Sequence, residues 1–221
     1  MSRTRIAAWA VSLLFAACSP VRFVTPIPAE HYAASASLGG PLITFSGATI
    51  PMPLTSLAAG YGLSSNTSLF AGLHTTALLF HDIQLDIGAL RELLPQDGWR
   101  PGVSASAVAN LALALRDGSF KFWPELNANA YWHYMSNGNL LYVGSSNWFE
   151  LASTRSDGES QPQHWVPNLQ CGHVFDGENW QYTTEIKYLA VGVMNLPSVV
   201  EYHGLSGNGS FGVYLALTRK F

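Results

Sequence analysis

Residues 120–134 read FKFWPELNANAYWHY, and their alternation decides the fold. At every second position Phe120, Phe122, Pro124, Leu126, Ala128, Ala130, Trp132 and Tyr134 form an uncharged row. Between them, Lys121, Trp123, Glu125, Asn127, Asn129, Tyr131 and His133 form a polar one. Successive side chains of a strand point to opposite faces, so this period of two predicts a strand with one apolar and one polar face. The pattern recurs on both sides. Residues 180–191 set Trp180, Tyr182, Thr184, Ile186, Tyr188 and Ala190 against Gln181, Thr183, Glu185 and Lys187. Residues 103–115 set Val103, Ala105, Ala107, Ala109, Leu111, Leu113 and Leu115 against Ser104, Ser106, Val108 and Asn110. Segments of this kind, separated by turn residues, predict about ten strands, with eight or twelve as the neighbouring counts. They fall at residues 32–39, 56–63, 68–80, 83–90, 103–115, 120–134, 140–149, 165–175, 180–191 and 210–221.

The composition says which face meets which medium. Of 221 residues only 11% are charged and 48% are hydrophobic, whereas soluble domains carry about a quarter charged residues. The polar rows are mostly Ser, Thr, Asn, Gln and Gly, which pack inside a small barrel more readily than they solubilise its exterior. No run reaches the roughly 18 to 20 apolar residues of a spanning helix. A formal charge of −3, with lysines and arginines scattered singly, leaves no basic stripe for nucleic acid. The expectation is an all-β, antiparallel up-and-down transmembrane barrel with apolar residues outward. Its rival is a periplasmic lipocalin-like lipoprotein, with the same alternation but the faces exchanged around an apolar ligand.

The last residues, FGVYLALTRKF at 211–221, alternate strictly and stop on Phe221. They resemble the closing strand of bacterial outer-membrane barrel proteins. That resemblance implies the outer membrane, outer-membrane lipid as the surrounding partner, and both termini on the periplasmic side. Turn lengths agree with ten strands so oriented, with residues 64–67, 136–138 and 176–179 as short inner turns and 40–53, 150–164 and 194–209 as long outer loops. Aromatic side chains favour both water-lipid boundaries. Tyr61, Trp132, Tyr134, Phe175, Trp180, Tyr182 and Phe221 are expected at the inner rim, and Phe120, Phe122, Trp148, Trp165 and Phe211 at the outer.

At the other end, Arg3 and Arg5 precede an apolar run at residues 6–17, the layout of a secretory signal. Leu14-Phe15-Ala16-Ala17-Cys18 resembles a bacterial lipobox, with Phe15 where such boxes more often carry Leu. The resemblance implies cleavage before Cys18 and acylation of its thiol with chains such as palmitate. The organisation expected is a signal peptide at 1–17, a lipidated extended tether at 18–30 and one barrel domain at 31–221. Cys171 would then have no disulfide partner.

An interior of about ten strands is nearly filled by side chains. The expected lumen network is Lys121, Glu125, Asn127, Asn168, Gln170, Glu185 and Lys187, with Glu185 opposite Gln170, Lys187 opposite Asn168 and Glu125 opposite Asn110. Small inward residues Ser35, Ser37, Ala58, Gly60, Ser104 and Ser106 would interlock with Phe70, His74, Trp123 and Tyr131. None of the seven histidines makes a metal set. His74 and His133 are expected in the lumen, His81, His164 and His203 in outer connections, and His173 on the lipid face. No cofactor motif, phosphate loop or nucleophile elbow occurs, so no cofactor and no catalytic residue is expected. A rim-active hydrolase built from Glu150, Asp157, Glu159 and His164, or from a His74–Asp86 pair, is the third reading. Residues 43–54 extend the first hairpin or fold over the mouth, and 91–102 form an inner connection with room for an amphipathic rim helix or plug. Both are candidate contacts for other outer-membrane proteins. The role expected is non-enzymatic, a structural or accessory component of a membrane assembly.

Overall fold

The computed structural model describes residues 20–134, 138–154, 160–195 and 201–221. It contains β1 (Tyr32–Phe45), β2 (Ala48–Pro51), β3 (Leu54–Ser64), β4 (Thr67–Leu73), a one-turn helix α1 (Thr75–Leu78) and β5 (Asp82–Leu94). After these come β6 (Gly102–Ala114), β7 (Phe120–His133), β8 (Leu140–Phe149), β9 (Trp165–Asp176), β10 (Trp180–Met194) and β11 (Asn208–Lys220). Each wall strand pairs antiparallel with its neighbours in chain order, and β11 returns to β1, from Ala33↔Lys220 to Pro41↔Gly212. The result is a closed antiparallel barrel of ten strands, with β2 folded back on the upper part of β1. Closure removes the sheet edges, whose unpaired N–H and C=O groups would each cost several kcal/mol in hydrocarbon.

The faces follow sequence parity. Leu57, Leu69, Ile87, Leu126, Leu141, Val143, Leu169, Ile186, Val213 and Leu217 are exposed outside. Asp86, Ser104, Asn110, Glu125, Asn127, Asn168, Glu185 and Lys187 are buried inside. This is the reverse of a lipocalin-like barrel, so the alternative of an apolar lumen does not hold.

Several expectations are corrected. Residues 74–80 do not continue the third strand. His74 N–H instead donates to the Gln84 carbonyl and the chain turns through α1, tied to β3 by Thr55, Thr75 and Thr76. Strand β5 runs on to Leu94, so the connection before β6 is a short turn with reciprocal Asp97–Arg100 backbone bonds, and no helix or plug forms there. The first hairpin does extend through β1 and β2, as one of the two readings of 43–54 held. The three registers each slip by two residues: Glu185 faces Gly172, Lys187 faces Gln170 and Glu125 faces Val108. A slip of two preserves the face, which is why the inward assignments survived it.

The largest correction concerns the segment expected as an extended tether from lipid to barrel. From the rim, where Glu30 N–H donates to Gly62 O and Gly62 N–H to His31 O, the chain runs back into the lumen as far as Pro20. Val21, Val24 and Ile27 are buried there. The wall makes room for it with glycine: a Cβ on Gly62 would lie 2.0 Å from Pro28 O, and one on Gly60 2.5 Å from Ile27 Cδ1. Pro20, Pro26 and Pro28 keep the segment extended and remove three N–H donors that the lumen would otherwise have to satisfy.

Candidate functional site

Strands β5, β6 and β7 place Asp86, Asn110 and Glu125 on one inward patch, and the buried segment brings Arg22 to it. The guanidinium is held on both terminal nitrogens. Nη2 lies 2.7 Å from Asp86 Oδ2 and donates to Asn110 Oδ1 at 3.3 Å. Nη1 reaches both oxygens of Glu125, at 3.2 and 3.3 Å. Asn110 Nδ2 in turn donates to Glu125 Oε2 at 3.1 Å. Multidentate pairing of this kind needs the planar fork of arginine and is stronger than a neutral hydrogen bond.

A second cluster lies deeper along β10. Lys187 Nζ sits 3.1 Å from Glu185 Oε1, donates to Pro20 O at 3.0 Å and stands 5.0 Å from the Tyr214 ring centroid. The Tyr142 hydroxyl donates to Glu185 Oε2 at 2.7 Å. Three carboxylates (Asp86, Glu125, Glu185) therefore share two full cations (Arg22, Lys187), and each is desolvated. Burial of this kind is tolerated only with near-complete pairing. Polar capacity is left over in the lumen: neither amide atom of Gln84, nor Asp86 Oδ1, nor His74 Nε2 has a protein partner, though all are buried. Cavities of ≈40 and ≈10 Å³ flank Arg22, room for only a few waters at about 10 to 15 Å³ each.

Of the expected network, Glu125, Asn127, Asn168, Glu185 and Lys187 are buried in the lumen. Asn127 donates to Ser106 Oγ, Asn168 to Ser146, and Gln170 to Asn129 Oδ1. Lys121 has inward parity but lies at the long-loop rim, exposed and paired with Glu150. Trp132, Tyr134, Trp165, Trp180, Tyr182 and Phe221 lie outside; Trp165 Nε1 donates to Asn147, and Arg219 stacks over Trp180 and Phe221. Trp148 is a correction. It is 8% exposed and faces inward, because it opposes inward Glu125 on an even-numbered row of β8 with Tyr142 and Ser146. His133 is also corrected, to an exposed rim position bonded to Gly138 O. His74 and Asp86 are both buried in the lumen, and His74 Nε2 and Asp86 Oδ1 have no protein partner. His164 Nδ1 bonds Glu150 O at 2.8 Å, and His203 Nε2 bonds Thr44 and Thr49, pinning the β1–β2 hairpin. Cys171 is exposed and free. Among the described residues no group of three or more His, Cys, Asp or Glu could hold a metal. Cys18, Asp157 and Glu159 lie outside the described residues.

Sequence reasoning did not find Arg22 as a lumen residue. Two signals pointed to it. Parity puts Asp86, Glu125 and Glu185 inside the barrel, where Lys187 and the rim residue Lys121 are too few cations to match them. The small inward rows of β1 and β3 also leave more space than Phe70 and His74 fill.

No family model and no curated protein sequence matches the chain. Solved structures resemble it. The translocator domain of the autotransporter NalP from Neisseria meningitidis is 10% identical, with 99% of this chain and 94% of that one covered at TM-score 0.45. An outer-membrane channel from Pseudomonas putida F1 is 9% identical, with 92% and 100% covered at 0.48. The N-terminal β-barrel domain of Pseudomonas aeruginosa OprF is 13% identical, with 88% and 100% covered at 0.33. Such likeness concerns fold, and function rests on the site itself.

Proposed function

We propose that this chain is an integral outer-membrane β-barrel lipoprotein whose lumen is closed by its own N-terminal segment, and that it serves as a structural or accessory component of a membrane assembly. The observation that supports this reading is the polarity of the wall. Leucine, isoleucine and valine project outward along every barrel strand at exposures such as 52% for Leu126 and 53% for Ile186, while Asp86, Glu125, Glu185 and Lys187 lie buried within and Arg22 is nearly so. In water that arrangement would expose a greasy cylinder and desolvate ions; in a bilayer it matches each face to its medium. Strands of 7 to 15 residues bracket the roughly 9 to 11 residues that a tilted spanning strand needs.

Within this reading the termini belong to the periplasmic side, and neighbouring outer-membrane proteins meet the 43–54 hairpin or the inner 91–102 segment, where Leu93, Leu94 and Trp99 are exposed. Acylation at Cys18 is supported by the lipobox-like sequence. Mass spectrometry of the membrane-extracted N-terminal peptide tests the modification. Embedding is tested with a Cys18→Ala chain, which lacks the lipobox thiol. It is expected to resist carbonate and urea extraction and to show heat-modifiable gel migration. Release by a simple wash would overturn the membrane-embedded reading.

A further inference from the structure

We propose that the mid-lumen of this barrel is a binding site for an alkylguanidinium group, and that Arg22 fills it from within as a tethered, exchangeable occupant. The inference rests on the embedded-barrel reading above and adds a ligand class to it.

The receptor belongs to the wall. Asp86, Asn110 and Glu125 project from three adjacent strands, each at most 3% exposed, and their positions are set by the sheet ladder whether or not Arg22 is present. They offer two carboxylates and a carboxamide oxygen to both ends of a planar fork, a geometry that an ammonium cannot use in full. The occupant belongs to a segment that joins no strand ladder. Its backbone is held by side chains: Ser68 Oγ accepts from Ile27 N at 2.8 Å, Ser104 Oγ donates to Val24 O at 2.5 Å, and Lys187 donates to Pro20 O. Its departure breaks no strand pairing, and its prolines leave few donors to re-satisfy.

The receptor is also wider than what it holds. Asp86 Oδ1, on the carboxylate that holds Arg22, is buried without a protein partner, as are the Gln84 amide on the same strand and His74 Nε2. The ≈40 Å³ cavity lies against Arg22 and Asp86. Withdrawing Arg22 leaves Asp86, Glu125 and Glu185 facing Lys187 alone, so a vacated lumen strongly attracts a cation, and its fork of acceptors selects a guanidinium.

The test uses the full chain, with Arg22 replaced by Ala, refolded into phospholipid vesicles and titrated with methylguanidinium or methylammonium. The Arg22→Ala protein is expected to gain several degrees in its heat-modifiable unfolding midpoint with methylguanidinium, at concentrations about tenfold below those methylammonium requires. The wild type, its site filled, is expected not to respond. Neither is an Arg22→Ala, Asp86→Asn, Glu125→Gln chain. If Arg22→Ala does not refold alone, the same comparison is read as recovery of refolded barrel when methylguanidinium is included. No shift and no recovery, or an equal response in all three chains, overturns the site. A chain that washes out of membranes refutes the barrel reading instead, whatever methylguanidinium does.

Discussion

The two halves of the lumen are filled in different ways. On the side of β6 to β10 the wall supplies most of the contents: Trp123, Tyr131, Tyr142 and Trp148 reach inward, with Glu125, Glu185 and Lys187 among them, and the N-terminal segment adds only Val24 against Tyr131 and Tyr142 and the Arg22 and Pro20 contacts. On the side of β1, β3 and β4 the inward residues apart from Phe70 are small, among them Ser35, Ser37, Ser56, Ala58, Gly60 and Ser68, and do not meet the opposite wall. There the N-terminal segment takes the space: Ile27 and Phe23 lie on Gly60, and Phe23 packs edge-on to Phe70 at 6.4 Å. A row of small inward residues therefore need not mark an open channel. It also marks where another part of the chain lies, since a barrel interior this narrow is packed to near-crystalline density or hydrated.

Substitutions that act on one half and spare the other break or sharpen this contrast. Arg22→Ala strikes where the halves meet and leaves Asp86 and Glu125 buried without their cation. Loss of one partner from a buried ion pair costs about 3 to 5 kcal/mol, which urea unfolding in vesicles would report. Ala128→Arg leaves both halves intact and tests only the outer wall, at an expected cost of about 2 to 4 kcal/mol if the site is near mid-bilayer. Tyr142→Phe removes a buried donor to Glu185 on the wall-filled side. It should cost about 1.5 to 3 kcal/mol while residues 20–28 stay protected from protease. Gly60→Leu is its counterpart on the other side. The added side chain claims the place of Ile27, should cost about 1 to 3 kcal/mol, and should make residues 20–28 cleavable while the barrel stays heat-modifiable.

The wall was legible in the sequence because period-two alternation is a local signal, repeated often enough to be unmistakable. Strands β6, β7 and β11 lie within two residues of where their patterns put them, and β10 within three. Register was less legible. It depends on which turn residues join the ladder, and an error of two leaves every face unchanged, so nothing in the pattern reports it. Trp148 was misplaced because a rim tryptophan at a lipid boundary and one packed inside look alike by composition; only the parity of β8, fixed by Tyr142 and Ser146, separates them. The buried segment was the least legible element. It makes no ladder, its Arg22 contacts are 64 to 103 residues away in sequence, and its prolines look the same in an exposed tether. The charge imbalance at mid-lumen was the sequence clue that went unused.

The central claim is that hydrocarbon surrounds the cylinder and charge is sealed inside it. Spin labels placed one at a time from Pro124 to Ala130 on β7 in vesicles, with collision rates to oxygen and to a water-soluble nickel complex, test it most directly. Oxygen accessibility is predicted to peak at Leu126 and Ala128 and to fall at Glu125, Asn127 and Asn129, alternating with period two. The opposite alternation, with the nickel complex reaching Leu126 and Ala128, would contradict the account.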